Sequence, residues 1–90
     1  MTIVMTKRDY LNEFAEGAMV LEPGRFDEAV VGIVQRIDRD PVVCYSVSKI
    51  IEILMEDGMD EEEAYEYYEY NILGAYMGET TPMFLDPIPI

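Results

Sequence analysis

Nine carboxylates, Glu52, Glu56, Asp57, Asp60, Glu61, Glu62, Glu63, Glu66 and Glu69, fall within 18 positions, and Tyr65, Tyr67, Tyr68 and Tyr70 are threaded through the end of the run. Carboxylates at this density suit three kinds of chemistry: acid-base catalysis, metal ligation, or attraction of a basic partner. Catalysis needs acids converging in a cleft. Here the step of four from Glu62 to Glu66 and of three from Glu66 to Glu69 sets them along one outward helix face. At 1.5 Å rise per residue they repeat every ~5 to 6 Å. For metal, Asp57-Gly58-Met59-Asp60-Glu61-Glu62-Glu63 lacks the alternating ligands, central glycine and distant glutamate of a calcium loop, and Asp38-Arg39-Asp40 is too short a motif. The expectation is therefore no catalytic residue, no metal site and no cofactor.

The third chemistry remains. A regular row of negative charge is what a nucleic-acid backbone also presents, so Glu62, Glu66 and Glu69, with Glu63, form a candidate surface for a basic partner. Tyr67 and Tyr70 belong to it as well, because aromatic area beside carboxylates suits a protein interface. The plainer alternative is a solvated face that only keeps the chain in solution.

The whole chain has 90 residues, 19 Asp and Glu against 6 Lys and Arg, and a formal charge of −13. Met1 to Lys49 carries 8 acids and 6 bases, net −2, whereas Ile50 to Ile90 carries 11 acids and no base, net −11. Such a chain repels nucleic acid and anionic membranes, so direct binding to either is not expected. With no histidine and Cys44 alone, His-based triads, Cys/His zinc sites and an internal disulfide are excluded. Half of the residues are apolar, enough for one small core spanning residues 1–90 as a single domain. No apolar run approaches the ~20 residues that a bilayer span needs, and no signal pattern opens the chain, so a soluble, cytoplasmic protein is expected.

The elements that must position the acidic row follow from local pattern. Thr6 and Asp9 form a capping box for a helix from Lys7 to Glu16, with Tyr10, Leu11 and Phe14 on one side. Glu22-Pro23-Gly24 is a turn. Ala29 to Ile37, rich in β-branched residues, reads as a strand, with Gly32 marking a bulge or close packing. Asp38 to Pro41 turns the chain into a second strand, Val42 to Tyr45, in which Cys44 is a small buried hydrophobe. Ser46 or Ser48 caps a helix whose stripe is Val47, Ile50, Ile51, Leu54 and Met55, ending at Gly58. Asp60 and Glu63 cap a longer helix, Glu61 to Met77, burying Tyr65, Tyr68, Ile72, Ala75 and Tyr76 and stopping at Gly78. Asn71, Glu79, Thr80 and Thr81 cluster at its end, where they either tether the Gly78 turn or line a small-ligand pocket. Pro82 to Leu85 is a last short strand before an extended, proline-alternating tail. The predicted fold is α+β: a small, mostly antiparallel sheet of about three strands covered by an antiparallel helix pair, plus the short N-terminal helix.

Asp27-Glu28-Ala29-Val30-Val31-Gly32, Val43-Cys44-Tyr45, Glu62-Glu63-Ala64, Asn71, Ala75-Tyr76, Gly78 and Thr81-Pro82 together resemble a loose group of short phage and prophage proteins that carries no assigned activity. The resemblance covers Phe26 to Leu85. It departs at Ser46, where the group often has an acid after the tyrosine. It implies a viral setting inside a host cell and supplies no mechanism. Charge and size add an analogy with small acidic phage proteins that mimic nucleic acid to block host defence. The expected function is thus a non-enzymatic inhibitor whose acidic helix occupies a basic, nucleic-acid-binding surface of a host or viral protein. The alternative is a structural or assembly module, such as a homodimer, with the charge serving solubility.

Overall fold

The computed structural model describes residues 6–21, 24–75 and 78–88. Helix α1 (Lys7–Phe14) starts at the expected capping box: the Asp9 N–H donates to the Thr6 hydroxyl and the Thr6 N–H to the Asp9 carboxylate. Only Leu11, followed by Ala15, reaches the core. Tyr10 and Phe14, expected on the same inward side, are half exposed and lean on each other with ring centroids 4.6 Å apart. A 3₁₀ turn, Gly24–Ala29, then buries Phe26 and Ala29.

Strands β1 (Val30–Arg36) and β2 (Arg39–Ser46) form an antiparallel hairpin. Its turn is Ile37-Asp38, two residues instead of the expected four. Asp38 takes a φ of 59°, a conformation that a short aspartate side chain tolerates. Pro41, expected in the turn, lies inside β2. It is tolerated because the register slips between Val34 and Arg36 opposite it, and because pairing on the other side of β2 begins only at Cys44. The bulge anticipated at Gly32 is present between Val30 and Gly32.

Strand β3 (Met83–Leu85) lies beside β2, Cys44 opposite Met83 and Ser46 opposite Leu85, and runs parallel to it. The sheet of this small α+β fold is therefore mixed, in the order β1-β2-β3, with the longer pairing antiparallel as expected and the shorter one parallel. Parallel pairing requires a long crossover, which the intervening helices supply.

Helix α2 (Val47–Glu56) is capped by the Ser46 hydroxyl, which accepts the Lys49 N–H at 3.3 Å. Val47, Ile50, Ile51, Ile53 and Leu54 are buried; Met55, expected among them, faces out because the stripe continues through Ile53 instead. The helix ends in a Schellman pattern: the Gly58 N–H donates to Met55 O, the Met59 N–H to Leu54 O, and Gly58 has a φ of 104° that only glycine adopts easily. Arg25 pairs with Asp57 at this corner and lies over the Phe26 ring, 5.1 Å from its centroid.

The chain re-enters helix at Asp60. Helix α3 (Glu61–Tyr67) is α-helical for seven residues and then passes into a π-helical stretch, Tyr68–Leu73, closed by the Gly74 N–H on Glu69 O. The expected single helix to Met77 is thus shorter. Gly74 ends it, and Tyr76 and Met77 lie outside the described residues. The cause lies in the buried residues Ala64, Tyr68 and Ile72, spaced by four. A four-residue repeat drifts around an α-helix of 3.6 residues per turn, and the wider π turn brings Ile72 back onto the shared face. Tyr65, expected in the core, is 42 % exposed for the same reason. Gly78, with a φ of 116°, shapes the later turn, in which its carbonyl accepts both the Thr81 N–H and hydroxyl.

The core joins Leu11, Phe26, Val43, Tyr45, Ile50, Leu54, Ala64, Tyr68 and Ile72 on one face of the sheet. Tyr45 is fully buried, and its hydroxyl accepts the Leu21 N–H at 2.8 Å. Its ring stacks on Phe84 at 6.1 Å, and Phe84 meets Tyr68 edge-on at 5.6 Å. Leu54→Ala and Ile72→Ala are each expected to cost about 2–5 kcal/mol, while Tyr65→Ala, on the exposed side, costs far less. Urea denaturation of the three variants measures this; equal midpoints would contradict the observed inward face.

Candidate functional site

The acidic stretch is built from the Asp60 cap outward. The Glu63 N–H donates to the Asp60 carboxylate at 2.9 Å and the Asp60 N–H returns to Glu63 at 3.5 Å, so Glu63 is half committed to holding the helix start. Glu61, Glu62 and Glu63 stand in the first turn, where the helix dipole favours negative charge. All of Glu61, Glu62, Glu63, Glu66 and Glu69 are exposed.

The structure joins some of the predicted residues and separates others. Glu63, Glu66, Tyr67 and Tyr70 line one open groove of about 330 Å³, completed by Met59 and Asn71. Glu62 and Glu69 are exposed on the same element but outside that groove. Glu69 lies within the π-helical stretch that begins at Tyr68, beyond the regular α-helical spacing that the expected row of Glu62, Glu66 and Glu69 assumes. Tyr70 is 81 % exposed and Tyr67 is half covered at the groove wall. The π-helical stretch carries no sequence signal of its own; only the spacing of Ala64, Tyr68 and Ile72 hints at it.

Five of the six bases are committed elsewhere. Arg8 bonds both oxygens of Asp27, at 2.9 and 2.8 Å. Arg25 pairs with Asp57 and Lys49 with Glu52, and the Lys7 ammonium donates to the carbonyls of Glu28 and Val30. Arg36 donates to the carbonyls of Asp40 and Glu79. Among the described residues, no ion pair reaches Glu62, Glu63, Glu66 or Glu69. Nor do three Cys, Asp or Glu side chains of the described residues converge as a metal-holding group. The acidic stretch is thus a field of unneutralised charge carried on an aromatic wall.

Of the polar cluster near the helix end, Asn71 and Thr81 line a mainly apolar cavity of about 230 Å³ with Leu21, Phe26, Tyr67 and Phe84. Glu79 does not line it; its carbonyl is the acceptor for Arg36, which tethers the Gly78 turn to the hairpin. Cys44, expected buried, is half-buried on β2, and burial pushes its thiol above the ordinary value. No helix among the described residues is long and apolar enough to cross a membrane.

No protein family, curated protein or solved structure matches this chain.

Burial, and then the charges of Asp86 and Glu69, push the Tyr68 phenol above its ordinary value. The folded state therefore holds this proton more tightly than the unfolded chain does. Its contribution to stability is complete below about pH 10 and is lost as pH rises through the folded-state value. Tyr68→Phe is expected to flatten part of the alkaline fall in melting temperature while changing little at pH 7; thermal melts of parent and variant from pH 7 to 11 test this.

Proposed function

We propose that this chain is a non-enzymatic interaction protein of phage type, acting in the host cell, whose acidic α3–π stretch occupies a basic, nucleic-acid-binding surface on a host or viral protein. One observation carries the reading. Glu63, Glu66, Tyr67 and Tyr70 share a single open groove, and among the described residues no cation neutralises its carboxylates or the neighbouring Glu62 and Glu69.

A groove lined by both carboxylates and tyrosines complements arginine and lysine. The acid gives a charge-assisted hydrogen bond and the ring gives cation–π contact. Residues flanking the groove extend the negative field, which speeds encounter with a positive partner and repels nucleic acid from the same place. A solubility role alone requires neither the tyrosines at the groove wall nor the concentration of charge on one element. Partner recognition accounts for both. Enzymatic turnover is not part of this proposal, since these carboxylates project to solvent instead of converging on a substrate.

The test is Glu62→Lys, Glu66→Lys and Glu69→Lys combined. Their side chains face solvent without ion pairs, so the fold persists, and a melting curve verifies it. Proteins from a DNA-binding fraction of bacterial lysate are expected to be retained by the parent, displaced by free duplex DNA, released as salt rises, and ignored by the triple variant. Undiminished retention by the triple variant would remove the acidic stretch from the mechanism.

A further inference from the structure

The two edges of the sheet are not alike. The β3 edge is three residues long and is bracketed by Pro82 and Pro87. The β1 edge is seven residues long and has β2 on one side only. Natural edge strands are usually blunted by charges or proline, yet from Val30 to Gln35 there is neither. At its start Lys7 takes the Val30 carbonyl, and at its end the Arg36 side chain reaches the carbonyls of Asp40 and Glu79. The bulges bend those ends and leave Gly32 to Val34 as the regular stretch. Beside it runs an open groove of about 510 Å³ between α1 and β1, walled by Tyr10, Phe14, Val31 and Gln35. Val31 is 55 % exposed and Phe14 54 %.

Charge selects the occupant. A second copy of a chain with net charge −13 is repelled from most directions. The α1–β1 flank is the exception, since α1 carries two bases and two acids and the middle of β1 carries no charge. The acidic stretch belongs to the opposite edge of the sheet, where Tyr68 is anchored on Phe84 of β3. We propose that the β1 edge is a self-association surface: two copies pair β1 against β1 antiparallel about a two-fold axis, making one six-stranded sheet. The Tyr10–Phe14 pairs of the two α1 helices then pack across the axis. Both helices stand on the core face, so the symmetry that joins the strands brings the helices together as well. The two β3 strands lie at the outer ends, five strand spacings or roughly 24 Å apart. That exceeds the ~8 Å Debye length at physiological salt, and the acidic stretches stay clear of each other.

Self-association of this kind responds to salt oppositely to capture of a basic partner. Screening relieves the repulsion between two copies, so the dimer tightens as salt rises, and the Glu62, Glu66 and Glu69 reversal leaves it intact. The experiment is sedimentation equilibrium of the parent, Val31→Lys and Phe14→Lys at low and high salt, with melting curves for each. Concentration-dependent hydrogen exchange of the parent follows the amides of Gly32 to Val34. A parent of dimer mass that tightens with salt, β1 amides more protected at high concentration, and folded variants of monomer mass are expected. A parent that stays monomeric at high micromolar concentration, including one that instead binds an extended peptide from another protein, overturns the proposal. So does a dimer unaffected by both substitutions.

Discussion

The central strand must bury a tyrosine whose hydroxyl cannot be left without a partner, and the rest of the domain is arranged around that requirement. Tyr45 is fully buried, and its oxygen is satisfied by the Leu21 N–H, which draws the loop after α1 down onto the sheet. Its ring supports Phe84, and Phe84 supports Tyr68. Through three aromatic side chains the hairpin holds the crossover strand and the crossover strand holds the acidic stretch. Mutual repulsion opposes ordering those carboxylates, and the burial of Ala64, Tyr68 and Ile72 offsets it.

Much of this was legible in the residues, where the signal was local. The capping pairs Thr6–Asp9 and Asp60–Glu63 are short-range hydrogen bonds written in adjacent side chains, and both form. The stripe of Val47, Ile50, Ile51 and Leu54 follows from helical periodicity, and Gly58 ends it. What was not legible depends on distant partners. Nothing near Met83 says that it will pair parallel to Cys44. Nothing near Tyr65 says that a wider turn will leave it outside while Ile72 goes in. Pro41 reads as a turn residue until the bulge opposite it supplies a place where its missing N–H does no harm.

The candidate site divides in the same way. Its composition was visible as a run of acids and tyrosines, and Glu63, Glu66, Tyr67 and Tyr70 do share a groove. Its shape was not visible, because the groove takes in Glu63 and Glu66 but not Glu62 or Glu69, and Glu69 lies in a π-helical stretch that the residues do not announce. A surface that reads as a linear array in the sequence is a groove with outlying charges in three dimensions. In the proposed role, such a groove suits one or two inserted cationic side chains better than an evenly spaced row.

The pairing of Cys44 with Met83 also has a kinetic meaning. The β1–β2 hairpin and the capped helix after it involve contacts between near neighbours in sequence, which form quickly, whereas β3 can join β2 only after the whole helical crossover has been threaded back. Docking of β3 is thus a long-range step that brings in the segment carrying most of the negative charge. Like charges gather over the shared core as that pairing closes, so screening by dissolved ions eases the closure.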